Sequence, residues 1–180
     1  MILFDTDLGS DGRRPDSNRQ TARRPAAAEA PRRDRVPSAR TLTRFLTEAR
    51  EAVRLRGQVT VLLTGDAAIR RLNKQFRGKN QPTDVLSFPA LEMVEGVAGD
   101  LAISVETARR QAQEQGHALS VEIKVLMLHG LLHLAGYDHE TDNGKMARRE
   151  RVLRGRLGLP QGLIERVQTG RATERAGARP

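Results

Sequence analysis

Apolar residues recur every three or four positions along much of this chain, and the phase of that recurrence divides it into elements. Leu42, Phe45, Leu46, Ala49 and Val53 fall on one stripe of a 3.6-residue period, with Ser38 placed to cap the helix and Gly57 near its end. The run VTVLLTG at residues 59–65 is apolar and β-branched, the pattern of a buried strand, and Asp66 follows as the cap of a helix carrying Ile69, Leu72 and Phe76. RGKNQPTD at residues 77–84 is rich in turn formers and charge and reads as a loop. VLSFP at 85–89 is a short strand ended by Pro89, and DLAIS at 100–104 is another, entered through a turn around Gly99. Helices are expected over about residues 105–116, 120–135 and 143–157. A few strands interleaved with helices, then an all-helical C-terminal half, predict an α+β single domain with one small mixed sheet packed by helices.

The ends of the chain read differently. Residues 1–8 alternate weakly and are expected to form an edge strand. Residues 9–40 hold Pro15, Pro25, Pro31 and Pro37 and almost no large apolar side chain, too little buried surface to offset ordering entropy, so a disordered basic insertion is expected there. Residues 41–160 form the expected folded domain, and residues 161–180 a basic flexible tail.

Composition narrows the function. The net charge of +9 favours polyanionic partners, nucleic acid first among them, although Arg-rich coding and solubility produce the same balance. The charge is uneven: residues 101–140 carry −2 and residues 141–180 carry +6. Aromatic residues make up only 3%, which weakens the case for a module that reads single strands by base stacking. With no cysteine, neither disulfides nor thiolate metal sites are available, and any metal must be held by His, Asp or Glu. No run approaches the ~18 apolar residues of a membrane helix, so no membrane partner is expected and the protein is placed in the cytoplasm. There is no internal repeat, P-loop or dinucleotide fingerprint.

Three of the four histidines fall in LHGLLHLAGYDH, at His129, His133 and His139. Four residues apart on a helix, His129 and His133 project about 40° from each other one turn apart, so both imidazoles reach one ion. Gly136 is placed to end the helix in a left-handed turn and return His139 over the same face. Three imidazoles leave a fourth tetrahedral position for water, the arrangement of a catalytic rather than a structural zinc site. A lone histidine on an apolar face is more often a hydrogen-bonded core residue, but two inside VLMLHGLLHLAGY would each need a buried polar partner. The expectation is one zinc per chain; imidazoles also accept nickel, copper and iron. His117 falls outside the pattern and is left unassigned. Asp138 is a candidate to orient a ligand imidazole, or simply a turn residue.

The spacing H-x-x-x-H-x-x-G-x-x-H is that of metzincin proteases, whose general-base Glu follows the first His; here that position is Gly130. Upstream, Arg77 and Lys79 flank Gly78, two cations about a hinge with the chemistry to hold phosphate; a solvated turn fits that segment as well.

LNKQFRGKNQPTDVLSFP, GDLAIS and HGLLHLAGYDH together strongly resemble the YbeY family of bacterial rRNA-maturation endoribonucleases, over roughly residues 42–158. The resemblance implies a zincin-like site with zinc on His129, His133 and His139, and single-strand-specific endonuclease activity. It further implies single-stranded RNA, ribosomal RNA and the ribosome as partners, in 16S rRNA 3′-end maturation and 70S ribosome quality control. Arg77 matches the arginine of the family's N-x-x-[YF]-R-G segment. Catalytic candidates are then Arg77 and His129, and substrate-binding candidates Arg77 and Lys79. Residues 9–40 depart from the family pattern. A metalloprotease-like zinc hydrolase and a non-catalytic ribosome-binding factor remain the alternatives.

Overall fold

The computed structural model describes residues 1–5, 32–91, 95–138 and 142–161. They form a single α+β domain with one mixed four-stranded sheet and five α-helices. The strands are β1 (Ile2–Phe4), β2 (Gln58–Thr64), β3 (Val85–Pro89) and β4 (Val97–Ser104), ordered β1-β2-β4-β3 across the sheet; β1, β2 and β4 are parallel, and β3 runs antiparallel to β4 along the other edge. The helices are α1 (Ala39–Val53), α2 (Asp66–Arg77), α3 (Val105–Glu114), α4 (Leu119–Leu134) and α5 (Lys145–Arg156).

The periodic stripe of α1 is buried as its spacing requires, at Leu42, Phe45, Leu46, Ala49 and Val53, and the Thr41 amide donates to Ser38 Oγ at 3.3 Å. Helix α1 ends at Val53, with Arg54 in the left-handed region (φ 66°), ahead of Gly57. Helix α4 carries apolar residues on nearly every side along LSVEIKVLMLHGLLHL, and such a helix must be central. Leu119, Ile123, Leu126, Met127, Leu128, Leu131 and Leu132 are inaccessible to solvent, packed with side chains from α1, α3, α5, β2 and β4.

Register sorts the strand residues between the two faces. Toward α4 point Val59, Val61 and Leu63 of β2 with Leu101 and Ile103 of β4. Toward the other side lie two rows: Leu3, Leu62, Ala102 and Leu86 in one, Thr60, Asp100 and Phe88 in the next. Among the described residues only α2 lies on that side. Its Ile69 seals Leu86 and Ala102, with Leu72 and Phe88 partly buried alongside.

Four expectations change. Strand β2 is not buried on both faces: Thr60 and Leu62 stay partly exposed, because α2 covers only the β4–β3 half of the sheet. Strand β4 begins at Val97 rather than at residue 100, since its first residues pair with β2 and β3. Asp66 is the first residue of α2 and Gly65 its cap; the Asp66 carboxylate instead accepts from Thr107 Oγ1 at 2.7 Å, from Arg110 Nη1 at 2.9 Å and from Ser104 Oγ. The disordered stretch expected over residues 9–40 does not extend to its end: Arg32–Asp34 form a 3-10 turn, Val36 packs on the core and α1 starts at Ala39, a few apolar contacts being enough to order the approach to the helix. The rest of that stretch, the end of the segment 1–8 and the tail past residue 161 lie outside the described residues. No helix among the described residues is long and apolar enough to cross a membrane.

Candidate metal centre

His129 and His133 occupy the last turns of α4, where the helix crosses β3 and β4. Glycine at position 130 makes that crossing close. A Cβ there would stand 2.7 Å from Leu101 Cδ2, and the Gly130 carbonyl accepts from Ser87 Oγ of β3 at 3.3 Å. The position that carries a catalytic Glu in metzincins is therefore pressed against the sheet, where a side chain would displace the buried Leu101. One turn on, a Cβ on Gly99 would fall 2.9 Å from Leu134 Cδ2, so the end of α4 also lies against the start of β4.

The two imidazoles converge. His133 Nε2 and His129 Nε2 are 3.2 Å apart, with ring centroids at 4.9 Å and planes at 72°. Two nitrogens each ~2.0–2.1 Å from one tetrahedral ion stand roughly 3.3 Å apart, so the separation suits an ion as well as it suits a shared proton.

The other nitrogen of His129 is held from α5. Nδ1 lies 3.1 Å from Glu150 Oε2, while Glu150 Oε1 takes the Arg154 guanidinium through Nε at 2.8 Å and through Nη2. Glu150 is 2% exposed and Arg154 wholly buried; Arg154 Nη1 also donates to the Pro160 carbonyl at 2.9 Å. Burial pushes the Glu150 carboxyl up, but the hydrogen bond from His129 and the Arg154 charge outweigh it and hold the group below its ordinary range. An ionised Glu150 accepts only, so Nδ1 of His129 donates to it, and Nε2 is left facing His133.

Sequence reasoning missed Glu150 and nominated Asp138 for this orienting role. Glu150 sits in KMARRERVLRGR, where it resembles one more charge on a solvated helix. The available signal was its place in the stripe Met146, Glu150, Leu153, whose spacing marks the buried face of α5.

Gly136 has φ +84° and closes α4: the Gly136 amide donates to the His133 carbonyl and the Tyr137 amide to the Leu132 carbonyl, each at 3.0 Å, the paired bonds that reverse a chain at a helix end. His139, three residues on, lies outside the described residues, so the pair His129–His133 is what the structure brings together. His117, unassigned from sequence, is hydrogen-bonded through Nε2 to the buried carboxylate of Glu122 nearer the start of α4. Arg77 and Lys79 are exposed, one as the last residue of α2 and one past Gly78, whose φ of +70° ends the helix. Arg77 there also offsets the negative end of the helix dipole.

Fold and site together define a small α+β domain built around a carboxylate-oriented histidine pair at the end of its central helix. The sequence profile described as Endoribonuclease YbeY matches residues 30–158, beginning ahead of residue 42 and taking in the ordered turn before α1. An endoribonuclease YbeY of Koribacter versatilis (strain Ellin345) is 53% identical over 130 residues, 72% of this chain and 84% of the relative. One of Solibacter usitatus (strain Ellin6076) is 52% identical over 128 residues, 71% and 85% of the two chains. A Thermotoga maritima protein known by its solution structure is 32% identical, covers 68% of this chain and 85% of its own, and superposes with a TM-score of 0.49. The chain belongs to the YbeY endoribonuclease family, which makes it a hydrolase of the nuclease class.

Proposed function

We propose that this protein is a zinc-dependent, single-strand-specific endoribonuclease acting on ribosomal RNA, in 16S 3′-end maturation and 70S ribosome quality control, with a zincin-like site on His129, His133 and His139. The observation that carries the metal reading is the approach of the two Nε2 atoms to 3.2 Å with the far nitrogen of His129 fixed by an ionised carboxylate. Family membership supports RNA as the substrate. The +9 charge agrees with it.

Zinc, when bound, supplies Lewis acidity, lowering the pKa of a water or polarising a phosphoryl oxygen. The chain's own groups do the rest. Glu150 fixes the His129 ring and its tautomer. Arg77 presents a fork of donors suited to phosphate oxygens and neutralises charge that builds on the phosphoryl group in the transition state. Lys79, across the Gly78 hinge, holds a neighbouring phosphate. Glycine at position 130, packed on Leu101, disfavours a protease, because the general-base carboxylate of such enzymes is missing there.

The test is cleavage of a single-stranded ribosomal RNA fragment by parent, chelator-stripped parent and His133→Ala. Cleavage by the parent, abolished by stripping and restored by zinc, is expected, with His133→Ala slower by about a thousandfold. Equal cleavage by the stripped protein or by His133→Ala contradicts the reading.

A further inference from the structure

The face of the sheet turned away from α4 carries a groove of about 480 Å³. Leu3 and Leu62 line it from the sheet together with Phe88 and Asp100, which are paired across β3 and β4, and Leu72 and Phe76 line it from α2. Among the described residues Phe76 is 59% exposed, on the last turn of α2, and its ring meets Phe88 edge-on with centroids 5.0 Å apart. The chain has four phenylalanines and no tryptophan, and two of those four are brought together here.

Three features say what this groove takes. First, an exposed ring braced by a second ring is a flat apolar platform beside an apolar floor, the surface on which a nucleobase stacks. Second, the residues that follow Phe76 are exposed Arg77 and, past one glycine, exposed Lys79, so phosphate-holding cations lie within three residues of the platform along the chain. Third, Phe88 is one residue from Ser87, which bonds to the carbonyl of Gly130 between the two histidines, so one strand of backbone separates the groove from the candidate metal centre.

We propose that Phe76, braced by Phe88, is a stacking platform for one base of a single-stranded RNA whose adjoining phosphates lie on Arg77 and Lys79. Phe76 is then a positioning residue for the substrate, and it favours single strands because a base paired in a duplex cannot leave its stack to cover the ring. The proposal rests on the endoribonuclease reading above for the identity of the strand.

Phe76→Trp gives the chain a single tryptophan as a fluorescent probe. In an otherwise His133→Ala background, a single-stranded oligoribonucleotide is expected to quench it, while an abasic oligomer of the same length and a duplex do so far less. In the cleaving enzyme, Phe76→Ser is expected to raise KM about tenfold with kcat within about twofold and zinc content unchanged, and Phe76→Tyr to restore the parent KM. Equal quenching by the abasic oligomer overturns the proposal, as does an unchanged KM in Phe76→Ser. A blue-shifted tryptophan emission before RNA is added, marking a groove already filled, also overturns it. If the parent cleaves RNA and no quench is seen, the stacking proposal fails alone; a base-dependent quench with a parent that cleaves nothing upholds the platform and sinks the endoribonuclease reading.

Discussion

On one face of the sheet, Val59, Val61, Leu63, Leu101 and Ile103 are sealed beneath α4 and its neighbours; on the other, α2 seals Leu86 and Ala102 and leaves Thr60 and Leu62 half open. The histidines belong to the sealed side, at the end of the most buried helix in the domain, where packing and the Arg154–Glu150–His129 chain hold an imidazole in one orientation. Arg77 and Phe76 belong to the open side, on an exposed helix end. A metal site needs fixed ligands, whereas a surface that takes a flexible strand needs accessible ones. The two faces divide those requirements, and changes on each are expected to act differently.

The largest effect is expected at Glu150. Glu150→Gln leaves the buried Arg154 guanidinium without its counter-charge, a loss of about 3–5 kcal/mol in unfolding free energy, and zinc affinity falls about 10- to 100-fold as His129 loses its orienting carboxylate. Adding Arg154→Leu should recover much of the stability and none of the affinity. Recovery of both in the double variant, read by urea melts and zinc titration, would mean that Glu150 serves only packing.

Next comes a matched pair of truncations. Leu131→Ala on the sealed side should cost about 2–5 kcal/mol, and Leu62→Ala on the open side about 1 kcal/mol or less, both by denaturant unfolding. Equal costs would erase the distinction between the faces.

The distinction is also where sequence reading ran out. The 3.6-residue stripe of α1, the leucine-rich end of α4 and the stop at Gly136 were legible because local pattern and tertiary burial agree there. The i, i+4 histidines were legible for the same reason: a helix fixes the spacing that chemistry needs. By contrast, VTVLLTG looks the same whether one side of the strand is covered or both, so the open floor at Thr60 and Leu62 could not be read from it. Nor could the aromatic platform, since a low aromatic content says nothing about whether the few rings meet. Glu150 was hidden by the arginines around it, because an ion pair at i, i+4 looks alike in water and in a core.

An effect no larger than that of Leu62→Ala, and confined to neutral pH, is expected at Asp66, which ties the start of α2 on the open side to α3. Burial raises its carboxyl, but hydrogen bonds from Ser104, Thr107 and Arg110, with the charge of Arg110, leave it below its ordinary value. A carboxyl lowered on folding contributes stability above its unfolded pKa and loses it as pH falls through the folded one. Asp66→Asn should therefore be less stable than the parent by about 1 kcal/mol at neutral pH, and the gap should close as the pH drops below the ordinary aspartate range. A gap that persists unchanged into acid would show that the Asp66 charge contributes nothing.

Whether His129, His133 and His139 hold one metal ion between them is decided by calorimetric zinc titration of the parent beside His129→Ala, His133→Ala and His139→Ala, all confirmed folded by circular dichroism. One ion per chain in the parent, and loss or severe weakening of that binding in each variant, is the predicted result. Zinc bound by His133→Ala with the parent's stoichiometry and affinity would contradict it.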